Sequence, residues 1–326
     1  MTRAAQWRPG PHDAVTDVPG VHVGHVTLDD GADIHTGVTA IVPAGICPGS
    51  PLPAGFFSGN GRGKFIGSTQ VEELGELESP IVLTGTLSAF RAADALVSWM
   101  LADPRHHDVL SFNPVVGECN DGRLSDIRAR PVTEAHVLHA IAAAGPGPIE
   151  QGSVGAGTGM VALGYKAGIG TAARTGELGG RPCTVGVLAL ANFGGRLRLA
   201  GGAPAAGGRL RLDGREPVAE GADDRRDNGS CVLVVATDAP LDARQLARVA
   251  RRAVFGMARV GSSYGHESGD YAIAFTVSTE GAVPDAALSP LFEATLDATE
   301  AALIGSLLAA RPMTGRGNSV PALRLE

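Results

Sequence analysis

The chain lacks most of the features that assign a sequence to a class at once. It has four cysteines in 326 residues, Cys47, Cys119, Cys183 and Cys231, with no Cys-x-x-Cys pair and no histidine at ligand spacing. That argues against a zinc site or a disulfide framework and for buried free thiols. No apolar run is long enough to span a bilayer, because the most hydrophobic stretch, Ile81 to Leu101, is broken by Arg91 and Asp94. No apolar segment follows Arg3 and Arg8, so a secretory signal is not expected and the cytoplasm is the expected compartment. Positive charge is not in excess: 27 Lys and Arg face 34 Asp and Glu, a net charge of -7. Neither nucleic acid nor an anionic membrane would attract such a surface, whereas small polar or uncharged substrates remain open. Aromatics are few, 4% of residues, and only two lysines, Lys64 and Lys166, stand among the arginines.

Glycine, by contrast, is abundant at 46 residues, about twice its usual share. No Gly-X-Y period runs through the chain, which excludes collagen, and 44% hydrophobic with 19% charged residues can fill a core. The length suits one large domain or two ordinary ones. VHVGHVT at Val21 to Thr27 and GVTAIV at Gly37 to Val42 read as strands flanking a turn at Asp29-Asp30-Gly31. Thr86 to Leu101 has helical spacing and stops at Asp103-Pro104; Thr133 to Ala144 reads as a second helix capped by Thr133. MVALGY, GIGTAAR and CTVGVLALAN read as antiparallel strands of a central sheet, and Leu199 to Asp227 as an exposed linker. After it come a buried strand, SCVLVVA from Ser230, a helix at Leu241 to Arg259, a strand at Tyr271 to Val277 and a helix ending near Ala310. Strands and helices come in clusters rather than alternating, which favours an α+β layered fold.

Several motifs carry possible chemistry. The run Gly152 to Gly159 resembles a phosphate cradle, but it lacks a Gly-Lys-Ser/Thr ending and leads into a strand, so it reads as a tightly packed backbone turn. Glu118, Asp121 and Asp126 have a spacing that can gather carboxylates; a loop ordered by Asx turns is the plainer reading, with Asn120 beside it lining a site. The nine histidines fall into no Ser-His-Asp order. Lys166 reads first as a surface charge at a strand end and second as a site residue, and Ser58, Asn60 and Gly61 read as a turn bordering a pocket. The informative junction is Asn228-Gly229-Ser230-Cys231, where a charged loop meets a buried strand. Gly-Ser at a strand start is ordinarily just a turn. A hydroxyl after an unhindered glycine can also attack its own preceding carbonyl, and hydrolysis would then free an N-terminal serine whose α-amine can serve as its base.

The motifs DAVTDVPGVHVGHVT from Asp13, PVVGECNDGRLSD, GSVGAGTG with YKAGIGTAAR, ALANFG from Ala189, the NGS junction and SGDYAIAF from Ser268 occur in one order between residues 13 and 275. Together they resemble the L-aminopeptidase/D-esterase (DmpA-type) family of self-processing serine peptidases, which includes β-aminopeptidases. The resemblance implies a four-layer αββα sandwich similar to that of N-terminal-nucleophile hydrolases with different connectivity. It implies one catalytic domain, 1–326, cut between Gly229 and Ser230 into an α chain, 1–229, and a β chain, 230–326. Ser230 is then the nucleophile and Asn192 the oxyanion donor, while Ser268 and Asp270 orient the new amine and tune its proton affinity. It further implies short peptides, amino-acid amides or esters with a free amine as substrates, no metal or organic cofactor, and a tetramer of αβ units.

Two departures bear on specificity. Asn120 stands where members of the family can carry a tyrosine, which removes one hydroxyl donor to the oxyanion, and Asp270 stands where some have glutamate. Other outcomes remain at this level: acyl transfer to an amine, as in the distantly similar ornithine acetyltransferases with their threonine nucleophile, or an unprocessed homologue with a binding role.

Overall fold

The computed structural model describes residues 7–199 and 229–325. Its first half contains the strands β1 (Arg8–Pro9), β2 (Val21–Asp29), β3 (His35–Pro43), β4 (Leu52–Gly61), β5 (Phe65–Ile66), β6 (Glu76–Leu77), β7 (Ile81–Gly85) and β8 (Val115–Cys119). Among them lie the helices α1 (Ser68–Leu74) and α2 (Ala89–Leu101), and α3 (Glu134–Ala142) follows. Next come β9 (Val161–Ala162), β10 (Tyr165–Lys166), β11 (Ile169–Leu178), β12 (Arg181–Asn192) and β13 (Ser230–Thr237). The chain closes with α4 (Ala243–Val260), β14 (Gly269–Thr276), α5 (Ser289–Leu308) and the hairpin β15 (Met313–Gly315) and β16 (Asn318–Val320).

Two large sheets result, ordered β1-β11-β12-β13-β14-β4-β6 and β2-β3-β7-β8-β5, beside the two-stranded pairs β9–β10 and β15–β16. Pairing is antiparallel except at β13 with β14 and β7 with β8, which are parallel. The two-residue alternation of a strand explains the layering. Val232, Val234 and Ala236 of β13 pack with Leu188, Leu190, Ile273 and Phe275 against Ile81, Leu83 and Val115 of the second sheet. Cys231, Leu233 and Val235 point the other way, with Val187, Ala189 and Ala272, onto α4 and α5. On the far side Val38, Ala40, Val82 and Val116 meet Leu96 of α2 and Val137 of α3. The fold is therefore a four-layer αββα sandwich.

Local signals set the elements. Asp30 Oδ1 accepts hydrogen bonds from the N–H groups of Ala32, Asp33 and Ile34 and so closes the β2–β3 turn. Asp242 caps α4 by accepting from the Gln245 N–H at 2.7 Å. Gly55 and Gly170 let helices lie on the sheet, since a side chain at either would collide with the backbone of Ala247 or Ala302. The helix expected from Thr86 begins as a 3-10 turn, Thr86–Ser88, before α2. MVALGY folds as the short hairpin β9–β10 rather than as a full strand. Of the expected linker, Leu199 is buried and the rest lies outside the described residues.

Candidate active site

Ser230 opens β13, in register with Asn192 at the end of β12 on one side and with Gly269 of β14 on the other. Alternation sends its side chain toward the second sheet, where β8 ends at Cys119 and Asn120 follows. Asn192 Nδ2 lies 3.4 Å from Ser230 Oγ and donates to the Asn120 carbonyl at 3.1 Å. The other end of that amide, Oδ1, accepts from the Val161 N–H at 3.0 Å, which fixes the nitrogen toward the serine. A second donor, the backbone N–H of Asn120, reaches Ser230 Oγ at 3.4 Å. Two fixed N–H groups thus converge where an oxygen can be held.

The residue before the serine has no room for a side chain. A Cβ on Gly229 would lie 2.8 Å from Phe193 Cα, and the Gly229 carbonyl accepts from the Gly269 N–H at 3.3 Å. Asp270 occupies the position beside Cys231 on β14. Ser268 Oγ donates to Asp270 Oδ1 at 2.8 Å, while Oδ2 has no hydrogen-bond partner among the described residues. Burial pushes the Asp270 carboxyl up to about 6, against the pull of the Ser268 hydroxyl. Burial also drives the thiols of Cys119 and Cys231 well above their ordinary value, so both stay neutral beside the serine.

Ser230 and Gly229 line a cavity of about 650 Å³, together with Asn120, Glu118, Lys64, Thr86, Arg62, Arg123 and Glu267. That volume is in the range of small-molecule sites. Lys64 Nζ pairs with Glu118 Oε1 at 3.0 Å and donates to Thr86 Oγ1 at 2.8 Å. The Lys64 backbone N–H meets the same Glu118 oxygen at 2.9 Å.

The sequence model of peptidase family S58 matches residues 13–320. The chain belongs to peptidase family S58. It is 38% identical over 335 residues to the β-peptidyl aminopeptidase BapA of Sphingosinicella microcystinivorans, covering 94% of this chain and 84% of that one. A Burkholderia β-aminopeptidase superposes with a TM-score of 0.82 at 37% identity, over 98% of this chain and 93% of the other. The L-aminopeptidase D-Ala-esterase/amidase of Ochrobactrum anthropi, described as a variant of the Ntn hydrolase fold, superposes with a TM-score of 0.85 at 33% identity, with the same coverage. This chain is accordingly a serine-type aminopeptidase hydrolase of that fold.

In this S58 peptidase Ser230, Asn120 and Gly229 line the cavity, buried Asn192 lies against Ser230, and Asp270 stands on the adjoining strand with Ser268 just before it. Asn120 lines the cavity beside Ser230, and one placement, that of Lys166, needs correction. Asn120 faces Ser230 with its backbone N–H; its side-chain Oδ1 is occupied by the Gly122 N–H at 2.9 Å, in an Asx turn. Lys166 neither lines the cavity nor sits on the surface: it is fully buried, and Nζ donates to the carbonyls of Ala167 at 2.6 Å and Gly157 at 3.2 Å.

The three loop carboxylates also part company. Glu118 turns into the cavity, Asp121 is buried, and Asp126 accepts from the Arg128 N–H to cap a 3-10 turn. The plain loop reading holds for Asp126 and fails for Glu118. Among the described residues no group of three His, Cys, Asp or Glu gathers in a way that would hold a metal, and no helix is long and apolar enough to cross a membrane. Ser58, Asn60 and Gly61 lie in a strand, and Arg62, Gly63 and Lys64 just past it border the cavity. The glycine run packs as a turn, with Gly157 against the backbone of Gly168 and Ile169.

Proposed function

We propose that this peptidase activates itself by cleaving its own Gly229–Ser230 bond and then works as an aminopeptidase with Ser230 as the N-terminal nucleophile. In the first step Ser230 Oγ attacks the Gly229 carbonyl carbon, and the peptide nitrogen leaves as the serine amine. Water then hydrolyses the resulting ester to a Gly229 carboxylate and the free hydroxyl. The single domain, 1–326, is thereby divided into chains 1–229 and 230–326. The observation that carries the reading is the convergence of Asn192 Nδ2 and the Asn120 N–H on Ser230 Oγ at the cavity wall. It is joined by a preceding glycine whose carbonyl is already engaged by a backbone donor.

In turnover the freed α-amine, with a reference pKa of about 8, takes the Oγ proton as the hydroxyl attacks a substrate carbonyl. It returns that proton to the leaving amine or alcohol, and water releases the acyl group. The two N–H donors meet the tetrahedral oxygen, a type of contact whose loss typically slows turnover about 10²- to 10³-fold. Asp270, held by Ser268, lies one strand from the new ammonium and supplies it with a counter-charge. Substrates are short peptides, amino-acid amides or esters, whose free amine is drawn to the cavity carboxylates Glu118 and Glu267. Neither a metal nor an organic cofactor enters any step. We take the processed enzyme to be a cytoplasmic tetramer of αβ units, which light scattering checks for assembly and cell fractionation for compartment.

Intact-mass analysis of purified protein tests the reading. Two fragments, the smaller beginning at Ser230, are expected; a single full-length mass would sink it. The Ser230→Ala chain should stay whole and hydrolyse no aminoacyl amide, and retained turnover would refute the mechanism.

A further inference from the structure

Both donors that face Ser230 are held from behind by the same small piece of chain. The hairpin β15–β16 turns through Arg316 and Gly317, whose φ angles of 49° and 73° lie in the left-handed region. Two such residues make a turn that suits the twist of a hairpin, but an arginine keeps that conformation only where its surroundings fix it. The Arg316 N–H donates to Asp33 Oδ1 at 2.8 Å, and His35 Nε2 lies 3.1 Å from the Thr314 carbonyl. These contacts fasten the hairpin to the β2–β3 turn. The Asp33 carbonyl also accepts from the Asp126 N–H at 2.7 Å, so one residue ties down both the hairpin and the far end of the loop that carries Asn120.

From that anchorage the hairpin reaches two arms of the site. On the first arm β8 has ended at Cys119, so the strand ladder no longer fixes the chain beyond it. Arg316 Nη1 donates to the Gly122 carbonyl at 2.9 Å, and Asn318 Nδ2 donates to the Arg123 carbonyl at 2.9 Å. Gly122 in turn donates to Asn120 Oδ1, which passes the grip to the residue whose N–H meets Ser230. A side chain at Gly315 would collide with the Leu124 carbonyl, so the hairpin lies directly on this turn. On the second arm Val320, 2% exposed, and Met313 pack with Leu124 and Val161 in a small core of their own. Val161 is the residue whose N–H holds Asn192 Oδ1 and so aims Nδ2 at the serine. Just past the hairpin the Pro321 carbonyl accepts from the Lys166 N–H at 2.7 Å, and Lys166 is the partner of Val161 across β9–β10.

Resting on the aminopeptidase reading above, we propose that the C-terminal hairpin positions both oxyanion donors, Arg316 and Asn318 by holding the Asn120 turn and Val320 by seating Val161 against Asn192. They are positioning residues, since each acts through another. Asn318 does reach the cavity wall, but its Nδ2 is spent on the carbonyls of Arg123 and Arg316. An oxyanion donor is effective only if it is fixed before the charge develops, which is the work a rigid support behind it performs. Cleavage at Gly229 would leave both donors on one chain and the hairpin, with Ser230, on the other. The hairpin then helps to keep the donors of one chain aligned on the nucleophile of its partner.

The test measures kcat and KM on an aminoacyl p-nitroanilide for the processed wild-type enzyme and for the Arg316→Ala/Asn318→Ala double variant. In the variant kcat should fall about 10- to 100-fold with KM nearly unchanged, the cost of misplacing a donor by about 1 Å. Affinity for the boronic-acid analogue of the same acyl group, which forms a tetrahedral adduct on the serine, should fall in step, whereas affinity for the product amino acid should not. Arg316→Lys, which keeps a donor within reach of the Gly122 carbonyl, should stay within about 3-fold of wild type. Ser319→Ala loses only the contact with Thr314 Oγ1 inside the hairpin and should leave kcat alone. Val320→Ala should lower kcat about 3- to 10-fold, but less than about 2-fold once Asn192→Ala has removed the donor it serves. An unchanged kcat in the double variant, or a loss shared equally by KM and product binding, overturns the proposal and leaves the aminopeptidase reading standing. If the double variant does not fold, the Val320 and Asn192 pair decides alone, and independent, multiplying losses overturn the proposal. A processed wild-type enzyme that hydrolyses no anilide overturns both readings.

Discussion

The two lysines of this S58 peptidase occupy opposite kinds of surroundings. Lys64 reaches into the cavity with its side chain 32% exposed and meets a carboxylate and a hydroxyl. Lys166 is sealed from solvent and, among the described residues, its ammonium meets only the carbonyls of Gly157 and Ala167, and burial pushes it down to about 7 against the weak pull of Asp121 and Asp29. A cation kept partly in water beside an anion can reach a ligand. A cation wholly buried among neutral acceptors acts on the fold, and its charge is a burden to it. The kind of partner and the depth of burial separate the two roles; the rarity of lysine in this chain does not.

The largest expected effect follows from Lys166. Its pKa in the folded state lies below the ordinary 10.5, so between about pH 7 and pH 10.5 the unfolded chain binds more protons. The contribution of Lys166 alone should therefore climb with pH across that window, by up to about 1.4 kcal/mol per unit and on the order of 4–5 kcal/mol in all, while the buried thiols of Cys119, Cys183 and Cys231, raised by burial, oppose it above about pH 9. Urea unfolding of the uncleaved Ser230→Ala chain, which keeps the system to one polypeptide, would show the slope. Adding Lys166→Met should remove this contribution, so that the difference between the two stability curves grows with pH from about 7 to 10.5. Two parallel curves would erase the contrast between the two residues.

Next in size is the oxyanion contact. Asn192→Ala should lower kcat by about 10²- to 10³-fold with little change in KM, because the amide meets an oxygen that becomes charged only in the transition state. Lys64→Met should behave differently. Losing the ammonium leaves Glu118 buried without its cation, so substrate binding suffers first, with KM rising about 10-fold and kcat falling less. Steady-state kinetics on one aminoacyl anilide separates the two, and a pure kcat loss in Lys64→Met would move Lys64 into the catalytic step.

Part of this was legible before any coordinates. SCVLVVA reads as a buried strand because every residue after the serine is apolar or small, and the spacing of Leu246, Val249, Ala253 and Met257 gives α4 its buried stripe. The junction serine and Asn192 were legible through family resemblance. Their meeting was not, because it depends on an antiparallel register that sets the last residue of β12 opposite the first of β13. The same limit hid Lys64 and Glu118, 54 positions apart and joined only when β8 pairs with β5, just beside Lys64. A signal was available in Lys64 itself, a rare lysine in a glycine-rich stretch at the end of a strand. Lys166 reads from the sequence as a surface charge yet is buried in the fold, because two-residue strands such as β9 and β10 leave almost no periodic trace from which burial can be read.

The carboxylates repeat the lysine contrast and give the smallest effect. Asp270 and Asp121 are both pushed up to about 6 by burial, the first beside the strand of Ser230 and the second behind Asn120. Each has a folded pKa above its ordinary 3.8, so each lends stability below about pH 4 that is lost as pH rises through 6. Only Asp270 should also shape turnover, since its negative charge is the one placed to hold the new ammonium. Ser268→Ala removes the hydroxyl that favours the ionised form of Asp270, which should raise its pKa and carry the acidic limb of kcat/KM upward by less than about one unit. Asp121→Asn should leave that limb where it is. If the limb moves with Asp121 and ignores Ser268, the acid behind the loop, not the one beside the nucleophile, governs the proton in this enzyme.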